Sequence, residues 1–266
     1  MALIGMIGVG NMGFPMLSCA SESFVKSDLL FTTKTKQRME YVKEQLGIDY
    51  AQDNKELVSK SKYVVLAVKP QYYNEVLLEI KDVVTTDQII ITVAPGIAID
   101  DIKRTLEKDV KVVRSMPNTP ALVGEGMSGI CYSNDKFEES EIEVVEKFFG
   151  SFGKFEVFEE RLMDAVVCAS GSSPAYVYMF IEALADSVVR CGIPRNQAYN
   201  MVAQTVLGST KMVLETKEHP GVLKDQVCSP AGTTIEGVAA LEEYGFRNSI
   251  LKATDACYQK AKSIKK

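Results

Sequence analysis

From its start to about Phe158 the chain alternates short apolar runs with segments whose apolar residues recur every three or four positions. The runs are "ALIGMIG", "DLLFTT", "KYVVLAVK", "QIIITVAPG", "VKVVRSM", "MSGICYS" and "KFEVF". Several are continuously apolar, as strands covered on both faces must be. Helical stretches such as "TKQRMEYVKEQLG" and "ESEIEVVEKFFGSFG" separate some of them, each closed by Gly. Strand–helix alternation of this kind predicts an α/β fold, with a mostly parallel sheet covered by helices on both sides.

Beyond residue 160 the strand patterns stop. "SSPAYVYMFIEALADSVVRCG" opens on Ser and Pro, is apolar nearly all round, and ends at Gly192. "IPRNQAYNMVAQTVLGSTKMVLETK" follows with Pro in its first turn, and "TTIEGVAALEEYG" and "FRNSILKATDACYQKAKSIKK" read as two more helices. The expected domains are therefore 1–160, α/β, and 161–266, all-α. A helix apolar on more than one face needs more partners than one small bundle supplies. It is either central in a monomeric bundle or packed against a second copy, and we expect the dimer.

Composition narrows the function. The chain has 266 residues, a net charge of −5 and a pI near 5.2, with no basic cluster beyond its Lys-rich last turn. That argues against nucleic acid as a partner. No apolar run approaches the roughly 18 residues of a membrane span. "MALIGMIGVGNMG" lacks a basic leader and runs straight into glycines, so it reads as a first buried strand. Six cysteines without a C-x-x-C spacing and a single histidine leave no zinc site. Reduced thiols in a cytoplasm are the simplest account.

The first loop brings in chemistry. Gly8-Val9-Gly10-Asn11-Met12-Gly13 follows a strand pattern and precedes a helical one. In a dinucleotide-binding turn the first glycine allows the bend and the second lets backbone approach a pyrophosphate. The third admits close helix–strand packing. An ordinary Gly-rich turn can share the spacing, but its place at the first strand–helix junction points to a Rossmann-type site. An NAD site would carry Asp or Glu about 20 residues further on, against the ribose hydroxyls. Here the second strand ends "FTTKTKQRM", with no acid before Glu40. Thr32 and Thr33 offer hydroxyls, and Lys34, Lys36 and Arg38 offer positive charge, at least one of them on a solvated helix face. A 2′-phosphate suits such a pocket. NADPH is the expected cofactor, with NADH as a weaker alternative.

Three further loops break buried strands with Pro: "LAVKPQ", "TVAPG" and "SMPNTP". Ligands in open α/β sheets bind outside the carboxyl ends of the strands. Backbone at Ala67, Val68, Lys69 and Pro70 is therefore expected to line the nicotinamide half. Late in the chain, "CSPAGTTIEG" sets small residues and two threonines at the start of a helical pattern. Bare amides at a helix start attract an anion; the same residues also read as a plain Ser-Pro turn with Thr capping.

At this point the chain resembles the pyrroline-5-carboxylate reductases. The likeness runs nearly end to end through "GMIGVGNMG", "AVKPQ", "SMPNTP", "ASGSSPAYVYMFIEALADSVVRCGIPRNQA", "LGSTKM" and "HPGVLKDQVCSPAGTTIEG". It implies an N-terminal Rossmann domain, an interleaved helical dimerisation domain, and in many members a decamer of five dimers. It implies reduction of 1-pyrroline-5-carboxylate to L-proline. Gly8 to Gly13 and Ala67 to Pro70 match cofactor-contacting segments. Asn54 matches a residue at the adenosine ribose, and Thr33 one near the 2′-phosphate. Ser229, Gly232, Thr233 and Thr234 match the substrate turn. Lys34 departs from members that carry Pro there, which bears on cofactor preference and not on the reaction.

The substrate carboxylate is then the anion expected at "SPAGTTIEG", held by the amides of Gly232, Thr233 and Thr234. A protonated imine is already electrophilic, so neither metal nor covalent nucleophile is needed. Thr234 is the candidate to bond the ring nitrogen as it becomes an amine. His219 precedes Pro-Gly and reads as a turn residue, Cys228 as packing, and Lys69 as either a cofactor contact or a loop closure. Reductases of open-chain acids on this plan use a lysine in the first long helix of the second domain, and that helix has none here. A nucleotide-binding regulator without turnover would carry a degraded substrate turn, and this one is intact.

Overall fold

All seven apolar runs form strands of one sheet in the computed structural model, which describes residues 2–264. The strands are β1 (Ala2–Ile7), β2 (Leu29–Thr32), β3 (Ser61–Leu66), β4 (Ile89–Thr92), β5 (Lys111–Met116), β6 (Gly126–Tyr132) and β7 (Gly153–Val157). Their order is β2-β1-β3-β4-β5-β6-β7, every pair parallel except β5–β6. β1 lies between β2 and β3, with Ile4 level with both Leu29 and Tyr63. That arrangement puts the glycine loop at the head of the sheet, where β1, β2 and β3 all end.

The helices of this part are α1 (Gly13–Ser23), α2 (Lys36–Leu46), α3 (Asn54–Ser59), α4 (Tyr73–Ile80), α5 (Ile99–Leu106), α6 (Glu139–Gly150) and α7 (Met163–Val166). Successive residues of a strand face opposite ways, so β3 feeds two cores. Val65 joins Ile4, Met6 and Ile91 under α1, α2 and α6, while Val64 and Leu66 join Ile90 and Val112 under α3, α4 and α5. Phe148, Phe149 and Phe152 close the first core as a fully buried aromatic cluster.

Gly47 ends α2 in the left-handed conformation, as a closing glycine should. α6 ends differently: Ser151 follows Gly150 in ordinary right-handed geometry. The later Gly153 is the glycine the fold requires, since a Cβ there would lie 2.0 Å from the Gly126 carbonyl oxygen. Helical residues also begin earlier than the Ser-Pro signal suggested, because α7 and a π-helical Val167–Ser172 precede Ser173.

The chain divides into two units. One runs to Ser172 and resumes at Cys257; the other is Ser173–Ala256. The second holds α8 (Ser173–Arg190), α9 (Arg195–Thr216), α10 (Pro220–Val227), α11 (Thr233–Glu243) and most of α12 (Phe246–Ser263). Pro194 caps α9 from one position before its first turn. α10 occupies the stretch read as a turn: Pro220 takes its first position, and His219 Nδ1 accepts from the Gly221 amide at 3.0 Å. The core of this unit by itself is slight: Ala185, Ala198 and Val202. Met179, Leu214, Val227 and Tyr244 stand mostly in the open. A helical unit that leaves so much apolar surface exposed is shaped to be covered.

Candidate functional site

The carboxyl ends of β1, β2 and β3 surround a cavity of about 450 Å³. Each loop glycine has its own reason to be there. Gly8 turns at φ +91°, and a Cβ on it would stand 2.8 Å from Val68 Cγ1. Gly13 starts α1 so near β1 that its Cβ would fall 2.2 Å from the Gly8 carbonyl oxygen. A Cβ on Gly10 would meet no atom within 4 Å. The space above Gly10 is thus free for a bound group to come up to the backbone, which is what a pyrophosphate needs.

Of the expected cofactor residues, Gly8, Gly10, Thr32, Thr33, Lys34, Asn54, Ala67, Val68 and Lys69 line this cavity. Val9, Asn11, Met12, Gly13 and Pro70 do not: Val9 is buried in the core and Pro70 begins a tight turn through Tyr72. Tyr72, Glu75, Val76 and Glu79 also line it and were not singled out in the sequence. Their spacing of three and four is one helical face running on from the Pro loop, a periodicity that could have found them. Gln52 and Asp53 join them just ahead of α3, where Asp53 is the cap and accepts from the Glu56 amide at 2.7 Å.

The three basic residues after β2 divide their roles. Lys36 lies exposed, 3.9 Å from Glu40, on the solvated face of α2. Arg38 donates from Nε to the Val9 carbonyl at 3.1 Å, with its guanidinium 5.2 Å from the Phe14 ring centroid and 4.9 Å from that of Tyr41. It braces the glycine loop. Lys34 faces the cavity with its ammonium 5.5 Å from the Tyr72 ring centroid. On the other side Asn54 Nδ2 donates to Glu79 at 2.7 Å. A carboxylate only accepts, so the amide carbonyl of Asn54 is turned away from Glu79.

A buried hydroxyl ties the strand ends together. Tyr73 donates to the Leu66 carbonyl, while Thr92 Oγ1 donates to it at 2.9 Å and the Val93 amide at 3.3 Å. Burial pushes this phenol up to about 12, so it stays a neutral donor. Asn118 of the SMPNTP loop accepts from the Met127 amide at 2.9 Å and donates to the Ser170 carbonyl at 3.1 Å. It is a staple, and neither that loop nor TVAPG lines the cavity.

In the second unit the segment Ser229–Gly232 forms the turn before α11. Its left-handed residue is Ala231, at φ +54°, and Gly232 has ordinary backbone at φ −83°. Gly232 is needed for space: a Cβ would lie 2.3 Å from Ser229 Oγ and 3.0 Å from the Ser229 carbonyl oxygen. Its amide already donates to that carbonyl at 3.0 Å. Gly232 is the cap of α11 and no side chain caps the helix, so the Thr233 and Thr234 amides have no acceptor among the described residues. Thr234 is half-buried, while Ser229 and Thr233 are exposed.

Among the described residues no group of His, Cys, Asp and Glu could hold a metal ion, and no helix is long and apolar enough to cross a membrane. None of the six cysteines forms a disulfide.

Residues 160–264 match the family model for pyrroline-5-carboxylate reductase dimerisation, and residues 3–96 match that for NADP oxidoreductase, coenzyme F420-dependent. The chain is 43% identical to the pyrroline-5-carboxylate reductase of Escherichia coli over 99% of this chain and 98% of that one. It is 37% identical to the Pisum sativum enzyme over 98% and 95%. A solved pyrroline-5-carboxylate reductase from Coxiella burnetii superposes with a TM-score of 0.93 at 30% identity, covering 100% of this chain and 99% of that one. The Plasmodium falciparum pyrroline carboxylate reductase with NADP bound gives 0.88 at 31%, covering 100% and 98%.

Proposed function

The chain belongs to the pyrroline-5-carboxylate reductases, and from that premise we propose how its own residues serve the reduction of 1-pyrroline-5-carboxylate to L-proline. What carries the reading is identity along the whole chain, which takes in both the glycine loop and the turn before α11. The cavity fits the cofactor by its own chemistry: open backbone at Gly10, no acid at the end of β2, and a cation at Lys34. Bound NADPH supplies the hydride that reduces the imine carbon.

The residues then have distinct tasks. Gly8, Val9, Gly10, Asn11, Met12 and Gly13 shape the pyrophosphate loop, Arg38 braces it, and Thr32, Thr33 and Lys34 receive the 2′-phosphate. Asn54 serves the adenosine ribose, and Ala67, Val68, Lys69 and Pro70 serve the nicotinamide half. At the turn, Thr233 and Thr234 donate their amides to the substrate carboxylate; Ser229 and Gly232 set the turn's shape. Such charge-assisted bonds contribute about 1.5–3 kcal/mol each where buried. The Thr234 hydroxyl bonds the ring nitrogen. Because the imine arrives protonated, hydride addition yields the secondary amine directly and asks no further acid of the chain.

The chain self-associates through its helical unit. We assign a dimer as the basic assembly and a ring of five dimers as its larger form. Six cysteines without a disulfide suit a reducing, cytoplasmic setting.

The test is consumption of NADPH with racemic pyrroline-5-carboxylate, with L-proline identified as product, alongside a panel of open-chain keto acids. Turnover of the cyclic imine alone is expected. Faster turnover of a keto acid, or none with the imine, overturns the reading. Light scattering on the purified protein distinguishes dimer from decamer.

A further inference from the structure

Tyr72 is the one aromatic side chain among the residues that line the cavity. It is 42% exposed, on the short turn between the Pro loop and α4. Lys34 places its ammonium over that ring, 5.5 Å from the centroid. No carboxylate pairs with Lys34 among the described residues, although Asp53, Glu75 and Glu79 line the same cavity. Asp53 is spent on the Glu56 amide and Glu79 on Asn54. The ring is therefore the partner of the Lys34 charge while no phosphate is bound.

We propose that the Lys34–Tyr72 pair is the cofactor-discriminating element of this site: the ring holds the ammonium in the free protein and becomes the stacking wall for adenine once the ammonium has moved to a 2′-phosphate. The proposal rests on the reading that the cavity takes NADPH. Adenine presents a flat π-face, and an aromatic side chain is its natural support. A cation and a purine compete for the same face of one tyrosine. With NADPH the competition is resolved, because the ammonium exchanges a weak contact with the ring for a charge-assisted one with phosphate. With NADH no 2′-phosphate receives it, so adenine must displace the cation without that compensation. The pair thus favours the phosphorylated cofactor twice, by attracting the phosphate and by obstructing adenine in its absence.

The test is direct binding of NADP⁺ and NAD⁺ to the intact protein by calorimetry, with no imine present. A failure of the proposed reaction would leave these constants untouched and show only in turnover. Lys34→Met keeps the length of the side chain and removes its charge. It should raise the Kd for NADP⁺ by about tenfold while the Kd for NAD⁺ stays level or falls. Tyr72→Ala should raise both by about threefold or more, and Tyr72→Phe should restore both. Both positions are exposed, and unchanged unfolding temperatures would confirm intact folding. Equal weakening of the two dinucleotides by Lys34→Met overturns the proposal. So does a Tyr72→Ala variant that leaves either Kd unchanged, or a Tyr72→Phe variant as weak as Tyr72→Ala.

Discussion

The Gly8 carbonyl oxygen lies 2.2 Å from the point where Gly13 would carry a Cβ, whereas a Cβ on Gly10 would meet nothing within 4 Å. The two glycines of one loop therefore fail differently. Gly13→Ala forces α1 off β1, and we expect a loss of about 1–3 kcal/mol of stability. Gly10→Ala has room in the free protein and should unfold within about 0.5 kcal/mol of the parent. On the proposed assignment its methyl enters the space of the pyrophosphate, so its dinucleotide Kd should rise at least about tenfold. Thermal unfolding and calorimetric titration of both variants check the contrast. Normal binding by Gly10→Ala would falsify the assignment of the loop.

Arg38 braces the glycine loop, and we expect it to act there and not at the 2′-phosphate. Its Nε bond to Val9 and its place between Phe14 and Tyr41 depend on a planar guanidinium. Arg38→Lys keeps the charge and loses both features. KM should rise about three- to tenfold for NADPH and for NADH alike, with kcat retained. A rise confined to NADPH would instead make Arg38 a contact of the 2′-phosphate.

The central strands were legible because they are buried on both faces: "QIIITVAPG" and "KYVVLAVK" could hardly be anything else once Pro closes them. The glycine loop was legible because its spacing encodes three separate steric demands. α10 was not, since His-Pro-Gly reads as a turn until the imidazole is seen capping Gly221. The cavity wall at Tyr72, Glu75 and Glu79 was hidden for a different reason. Tyr72 ends the turn after the Pro loop and Glu75 and Glu79 follow it on α4, and a shared face announces which residues lie on one side without saying what that side looks onto. At the late turn the sequence located the turn and the helix start but not the conformations. Ala231 takes the left-handed geometry there, and Gly232 is required by its closeness to Ser229.

Thr234 offers the turn an amide and a hydroxyl, and these separate by mutation. Thr234→Ala keeps the amide and removes the bond proposed for the ring nitrogen. We expect kcat/KM for the imine to fall by about tenfold or more, with dinucleotide Kd unchanged. Thr234→Ser should recover most of the loss. An Ala variant with parental kcat/KM removes the hydroxyl from the reaction.

Glu141 gives the chain a predictable acid limit. It is almost fully buried, held by Lys111, by Lys62 at 3.0 Å and by the Glu138 amide at 3.0 Å. Burial alone would push its carboxyl up. The bonds from Lys111, the Glu138 amide and Lys62 outweigh that and hold it at about 2. The unfolded chain binds this proton near pH 4.3, roughly the ordinary glutamate value. The pairing therefore contributes its full stability above that pH, and the contribution falls away as the pH drops towards 2. Its size is about 3 kcal/mol. Chemical unfolding of the parent should show stability declining over this interval. Glu141→Gln should be less stable at neutral pH, where it leaves two lysines without their shared anion, and its curve should be flatter between pH 4 and 2. Parallel curves for the two proteins would place the acid sensitivity elsewhere.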